Sequence, residues 1–154
     1  MRVLVLSGVV CAAILTALSA PAAVIYVDRA NTSGVQDGAS WATAFRAVQD
    51  AIDAADPATF SEVWVAAGTY DELRTDPDGA LIMRSNVDLY GGFSGTETLR
   101  EERDWDANVT IIDGSTARKG YPASVVIRAA SNVLDGFTIQ GAGPTSNSWN
   151  VALY

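Results

Sequence analysis

Residues 87–91 read Val-Asp-Leu-Tyr-Gly, and their ending recurs along the chain. Ala66-Ala67-Gly68, Leu89-Tyr90-Gly91, Ile112-Asp113-Gly114 and Leu134-Asp135-Gly136 each close a short apolar run with a glycine. The glycines stand 23, 23 and 22 residues apart, and Ser85-Asn86-Val87 returns as Ser131-Asn132-Val133. Regular self-similarity at 20–25 residues is the mark of a solenoid, in which each repeat buries its apolar face against the next. The length alone also suits leucine-rich repeats, but their Leu-x-x-Leu-x-Leu spacing is absent.

Six segments are short, β-branched or aromatic, and bounded by Gly, Asp, Asn and Ser, which reads as strand. They are Val24–Val27, Val63–Val65, Val87–Tyr90, Val109–Ile112, Val125–Ile127 and Phe137–Ile139. The expectation is a mainly β, right-handed parallel β-helix of about four coils of 22–23 residues. Glycines would serve its corners, and Asn86 and Asn132 would bond backbone groups left unpaired where a coil turns.

Ahead of the repeats, residues 40–55 place Trp41, Ala44, Phe45, Val48, Ile52 and Ala55 at helical spacing. Arg46, Gln49, Asp50 and Asp53 fall on the opposite side. Ser40 suits an N-cap and Pro57 lies just past the end, so an amphipathic helix over Ser40–Ala55 is expected. Its place is the open face of the first coil, where it would cap an unpaired sheet edge.

The first residues read differently. Arg2 is the only charge before Asp28, residues 3–18 are mostly apolar, and Ser19-Ala20-Pro21-Ala22-Ala23 follows. This is the pattern of a secretory signal cleaved after Ala22. The expected organisation is a signal at 1–22, a strand and capping helix at 23–60, and coils over 61–154. With no closing cap in the last residues, the chain reads as the front of a longer solenoid. Cys11, the single cysteine, would leave with the signal, and no membrane span would remain.

The 154 residues carry 10 basic and 18 acidic side chains, a net charge of −8, and loss of Arg2 makes it −9. Such a chain lacks the basic footprint of a nucleic-acid binder. It has no histidine, which excludes Ser-His-Asp triads and His-ligated zinc, and one cysteine excludes a disulfide framework. No catalytic, cofactor-binding or metal residue is assigned. Asp76-Pro77-Asp78-Gly79 has the oxygen donors for Ca²⁺ but reads as a solvated turn, because it lacks the further ligands of a calcium loop. Asp113 and Asp135 share a repeat position, where two carboxylates one strand apart could form a glycosidase pair, but Asp before a corner Gly is an ordinary turn former. Residues 101–106 (Glu-Glu-Arg-Asp-Trp-Asp) read as a charged loop over a coil with Trp105 turned inward. Trp41 and Trp64 read as core, and Trp149 as the tryptophan with a claim to exposure. Asn31-Thr32-Ser33 and Asn108-Val109-Thr110 match the N-glycosylation pattern, which matters only in a eukaryotic source.

Ile25-Tyr26-Val27-Asp28, residues 34–41 (GVQDGASW) and Ala44-Phe45 resemble the start of secreted bacterial β-helix proteins of the pectin-lyase-like superfamily. Val63–Tyr70 resembles their first coil. Leu89–Thr98 (LYGGFSGTET), Arg103-Asp104-Trp105 and Thr110–Gly114 resemble a stretch of polymorphic outer-membrane-type repeat proteins. The resemblance spans about residues 24–142 and implies export and a right-handed β-helix. The superfamily holds lyases, hydrolases and adhesins, so fold alone does not name an activity. Three functions follow as expectations. The first is a non-catalytic surface scaffold of adhesion type whose partner is an extracellular polysaccharide. The second is the front of a polysaccharide lyase or hydrolase. The third is a carbohydrate-binding module using Trp105 or Trp149.

Overall fold

The computed structural model describes residues 22–72, 80–115, 125–127 and 132–141. The described chain is mainly β. Its strands are β1 (Ala23–Val27), β2 (Ser61–Ala66), β3 (Gly68–Tyr70), β4 (Leu81–Met83), β5 (Val87–Phe93), β6 (Thr110–Asp113), β7 (Val125–Ile127), β8 (Leu134–Asp135) and β9 (Thr138–Gln140). They form three parallel sheets with the orders β1-β2-β5-β8, β3-β6-β9 and β4-β7. After β1, successive chain segments visit the sheets in the same sequence.

The registers replace the expected uniform period. In the first sheet Ile25 pairs with Val63, Val63 with Leu89, and Leu89 with Leu134. Those steps are 38, 26 and 45 residues. In the second sheet Tyr70 pairs with Ile112 and Ile112 with Ile139, steps of 42 and 27. The 22–23-residue spacing therefore joined unlike positions. Gly91 and Gly136 follow paired residues of the first sheet, whereas Gly114 follows β6 in the second and Gly68 opens β3. A glycine ends strands in more than one sheet, and a one-dimensional pattern cannot say which.

Alternation along the strands sends Val63, Val65, Val87 and Leu89 inward, where they meet Leu81, Met83, Tyr70 and Ile112 in one apolar cluster. Burying a side chain of Leu89's kind fully contributes about 2 kcal/mol, and Leu89 is completely buried. Glu62 and Trp64 of β2, Asp88 and Tyr90 of β5, and Asp135 of β8 alternate with these inward residues. Asn86 adopts a left-handed φ of 62° and its side chain donates to the Pro57 carbonyl at 3.0 Å. Asn132 Nδ2 donates to the carbonyls of Arg84 and Val87 at 2.6 and 2.7 Å. Asn86 thus serves the turn at Pro57, while Asn132 bonds Arg84 in the turn and Val87 at the start of β5, its own Oδ1 unpaired.

The expected Ser40–Ala55 helix is divided. Trp41–Thr43 forms one 3₁₀ turn, and the α-helix, α1, runs Val48–Ala54. Between them Phe45 is extended and bridges Val27 in parallel. Its N–H donates to Tyr26 O at 2.9 Å, its carbonyl accepts from Asp28 N at 2.8 Å, and Gly38 O accepts from Tyr26 N at 2.9 Å. Pairing β1's otherwise open edge outweighs the helical propensity of residues 44–47. Ser40 does not cap α1. Glu72 accepts from the Val48 N–H at 2.7 Å instead.

Gln49, expected on the solvent side, is buried, and its amide bonds both the N–H and the carbonyl of Ile82 in β4. Val48, Ala51 and Ile52 join the core cluster, and α1 packs against β1, β2 and β4. No helix among the described residues is long and apolar enough to cross a membrane.

Candidate functional site

Residues 94–109 fold back over the outward side of β2 and β5. Its first turn is closed by Glu97, whose carboxylate accepts from the backbone N–H groups of Ser94, Gly95 and Thr96 at 2.6–3.0 Å. Burial pushes this carboxyl up, but the hydrogen bonds prevail and hold it below the ordinary range. The Glu97 carbonyl accepts the Trp41 indole N–H at 2.9 Å, which ties the loop to the N-terminal segment. Trp41 completes an aromatic group with Tyr26, Trp64 and Phe93, the last two stacked at 4.8 Å.

Two arginines then cross Tyr90. The Arg100 guanidinium lies 4.8 Å from the ring centre and bonds Glu62 at 2.7 Å, while Glu62 also accepts from Trp64 Nε1. Arg103 lies 5.1 Å from Tyr90 and 5.2 Å from Trp105, and forms an ion pair with Asp135 of β8. Burial, then the neighbouring Asp88 carboxylate, raises the Tyr90 phenol above its ordinary value. The order Arg100, Tyr90, Arg103, Trp105 is a run of alternating cations and π faces, each contact worth about 0.5–2 kcal/mol.

The backbone beneath Trp105 is pinned. Gly92 has φ +93°, and a Cβ there would stand 2.9 Å from Trp105 Cα. Gly92 O accepts from Asp104 N at 2.8 Å and from the Asn108 amide at 3.3 Å. Asp104 Oδ1 receives the N–H groups of Asp106 and Ala107. Trp105 thus leaves an ordered turn and is 55% exposed, contrary to the inward packing expected for it. Its aromatic ring lies against the guanidinium of Arg103, which is paired with Asp135.

Beside the ring lies a cleft of about 440 Å³, lined by Trp105, Asp106, Thr110, Asp135, Phe137 and Thr138 among others. This is the concave feature that joins loop 94–109 to β8 and β9.

The other sequence candidates fall elsewhere. Asp113 belongs to β6, pairs in register with Gln140 and accepts its amide at 3.0 Å; Asp135 is level with Tyr90 in another sheet. They do not form a carboxylate pair, and the spacing that suggested one crossed two sheets. The Ser115 N–H and hydroxyl, then Gln140, hold Asp113 below the ordinary carboxylate range. Trp64 is buried, as expected, and Trp41 packs in the aromatic group. Both glycosylation-pattern asparagines are engaged, Asn31 with the Ala44 carbonyl at 2.6 Å and Asn108 with Gly92 O. Asp76, Asp78 and Trp149 lie outside the described residues. Among the described residues no group of three or more acidic or sulfur side chains is arranged to hold a metal. Composition had placed the loop's charges but could not show that two of them neutralise carboxylates 38 and 32 residues away.

No family model, curated protein or solved structure matches the chain.

Proposed function

We propose that the chain is an exported, right-handed parallel β-helix that acts as a surface scaffold of adhesion type. The supporting observation is the strand order. Segments β2-β3-β4, β5-β6-β7 and β8-β9 each contribute in turn to the same parallel sheets, as the coils of a solenoid do. The coils are of unequal length, and their inserted residues, such as 94–109, form loops on the outside. On this reading α1, with the Gly38 and Phe45 backbone, covers the first coil. The signal pattern at 1–22 supports export.

Expression from codon 1 in a Gram-negative host tests both halves. The product recovered outside the cytoplasm has a mass beginning at Ala23, and it releases no reducing or unsaturated ends from acidic or neutral polysaccharides. A full-length cytoplasmic product contradicts export. Turnover of a polysaccharide puts the chain among the lyases or hydrolases instead.

A further inference from the structure

The aromatic ring of Trp105 is the feature that the scaffold reading does not use. A large apolar side chain on an anchored turn is more than half exposed, beside a cleft within the range of about 300–1,000 Å³ typical of small-ligand sites. The walls are of two kinds. Trp105 and Phe137 supply apolar surface, and Asp106, Asp135 and Thr138 supply oxygen atoms. Carboxylates accept hydrogen bonds and donate none when ionised, so a matching ligand brings donors. A ligand with apolar faces and hydroxyl edges meets both requirements.

Charge narrows the class. Arg103 is already committed to Asp135 and lies under the rings of Tyr90 and Trp105, and Asp106 adds a negative charge at the rim. With a net charge of −8 over the chain, uronates, phosphates and nucleic acids are repelled.

We propose that this cleft binds a neutral pyranoside chain, one sugar ring stacking on Trp105 and its hydroxyls donating to Asp106 and Asp135. The Arg103 contact and the Gly92–Trp105 packing fix the platform before the ligand arrives, so little ordering is lost on binding. Nothing in this assignment depends on export or on the coil reading, which can fail separately.

The test is affinity electrophoresis of the full chain in gels containing soluble xylan, glucomannan or mixed-linkage glucan. Polygalacturonate and chitosan oligomers serve as acidic and cationic comparisons. Tryptophan fluorescence titration gives the affinities. At least one neutral glycan retards the chain, W105A weakens that binding tenfold or more, W105F retains part of it, and D106N weakens it several-fold. The far-UV circular dichroism of each variant matches the parent, D106N melts with it, and W105A melts lower by the loss of its Arg103 contact. Should W105A fail to fold, D106N decides, because Asp106 is exposed and its side chain supports no described contact. The proposal is overturned if no neutral glycan binds, if polygalacturonate or chitosan binds better, or if folded W105A or D106N binds as well as the parent.

Discussion

Gly91 in β5 faces Gly136 just past the end of the neighbouring β8, and the carbonyl oxygen of each occupies the place where a side chain on the other would begin. A Cβ on Gly91 would stand 2.4 Å from Gly136 O, and one on Gly136 would stand 2.6 Å from Gly91 O. Both contacts are with backbone, which cannot swing aside. Gly136 also has φ +78°, a conformation L side chains rarely adopt. G91A is expected to cost about 1–3 kcal/mol, and G136A about 1 kcal/mol more for its backbone strain. One separation of the strands relieves both clashes, so the double variant loses less than the sum. Urea unfolding of the three variants measures this, and strict additivity would show that the two positions are not in contact.

Arg103 holds loop 94–109 to β8. Its side chain is 12% exposed while that of Asp135 is 51% exposed, so most of its worth lies in the stack with Tyr90 and Trp105. R103L is expected to destabilise the chain by about 1–2 kcal/mol. D135N, which removes a half-exposed partner, costs under about 1 kcal/mol. R103K does not restore the parent value, since an ammonium lacks the planar fork that stacks and pairs at once. Equal losses in R103L and D135N, followed by chemical denaturation, would assign the stabilisation to charge alone.

The Glu97 carboxyl titrates lower in the folded chain than in the unfolded one. Its contribution is therefore complete above the ordinary value of 4.5 and is lost as pH falls through the lower, folded value. E97Q keeps one acceptor oxygen and is expected to cost about 1–2 kcal/mol at neutral pH. Below pH 4.5 the melting temperatures of parent and E97Q converge. Curves that stay parallel down to the acid limit would mean that Glu97 does not titrate with folding.

Phe45 closes the exposed edge of β1 with its backbone and packs its ring against Ile25 and Gly38. A Cβ on Gly38 would stand 2.7 Å from that ring. F45D places a charge in this contact and is expected to cost about 2–4 kcal/mol and to promote association through the uncovered edge. Size-exclusion chromatography with circular dichroism checks it. A monomeric variant with the parent's spectrum and melting point would contradict the covering role.

Strand composition was legible in the chain because β-branched runs of period two require little context. Val63–Val65 and Val125–Ile127 lie in strands where expected, and Phe137–Ile139 overlaps β9. Glycine spacing does not reveal the period, because Gly91 lies inside β5 of the first sheet, whereas Gly68 opens β3 and Gly114 follows β6 in the second. The helix is shorter than the sequence pattern suggests because Trp41, Ala44 and Phe45 fit a helical stripe equally well as residues that pack on β1. Only a contact with Tyr26, 19 residues away for Phe45, decides between them. The candidate site was half visible. Residues 101–106 stand out as charged with a central tryptophan, but the pairing of Arg103 with Asp135, 32 residues away, is one that local sequence does not encode.

Parallel stacking of unequal segments is read out by the pattern of interstrand NOEs in the ¹⁵N,¹³C-labelled chain. Amide-to-Hα contacts are expected between Val63 and Leu89's neighbourhood and between Leu89 and that of Leu134, at steps of 26 and 45 residues. No close Hα–Hα pairs are expected between these strands. Strong Hα–Hα contacts, the mark of antiparallel pairing, or a uniform step of 22–23 residues would contradict this stacking.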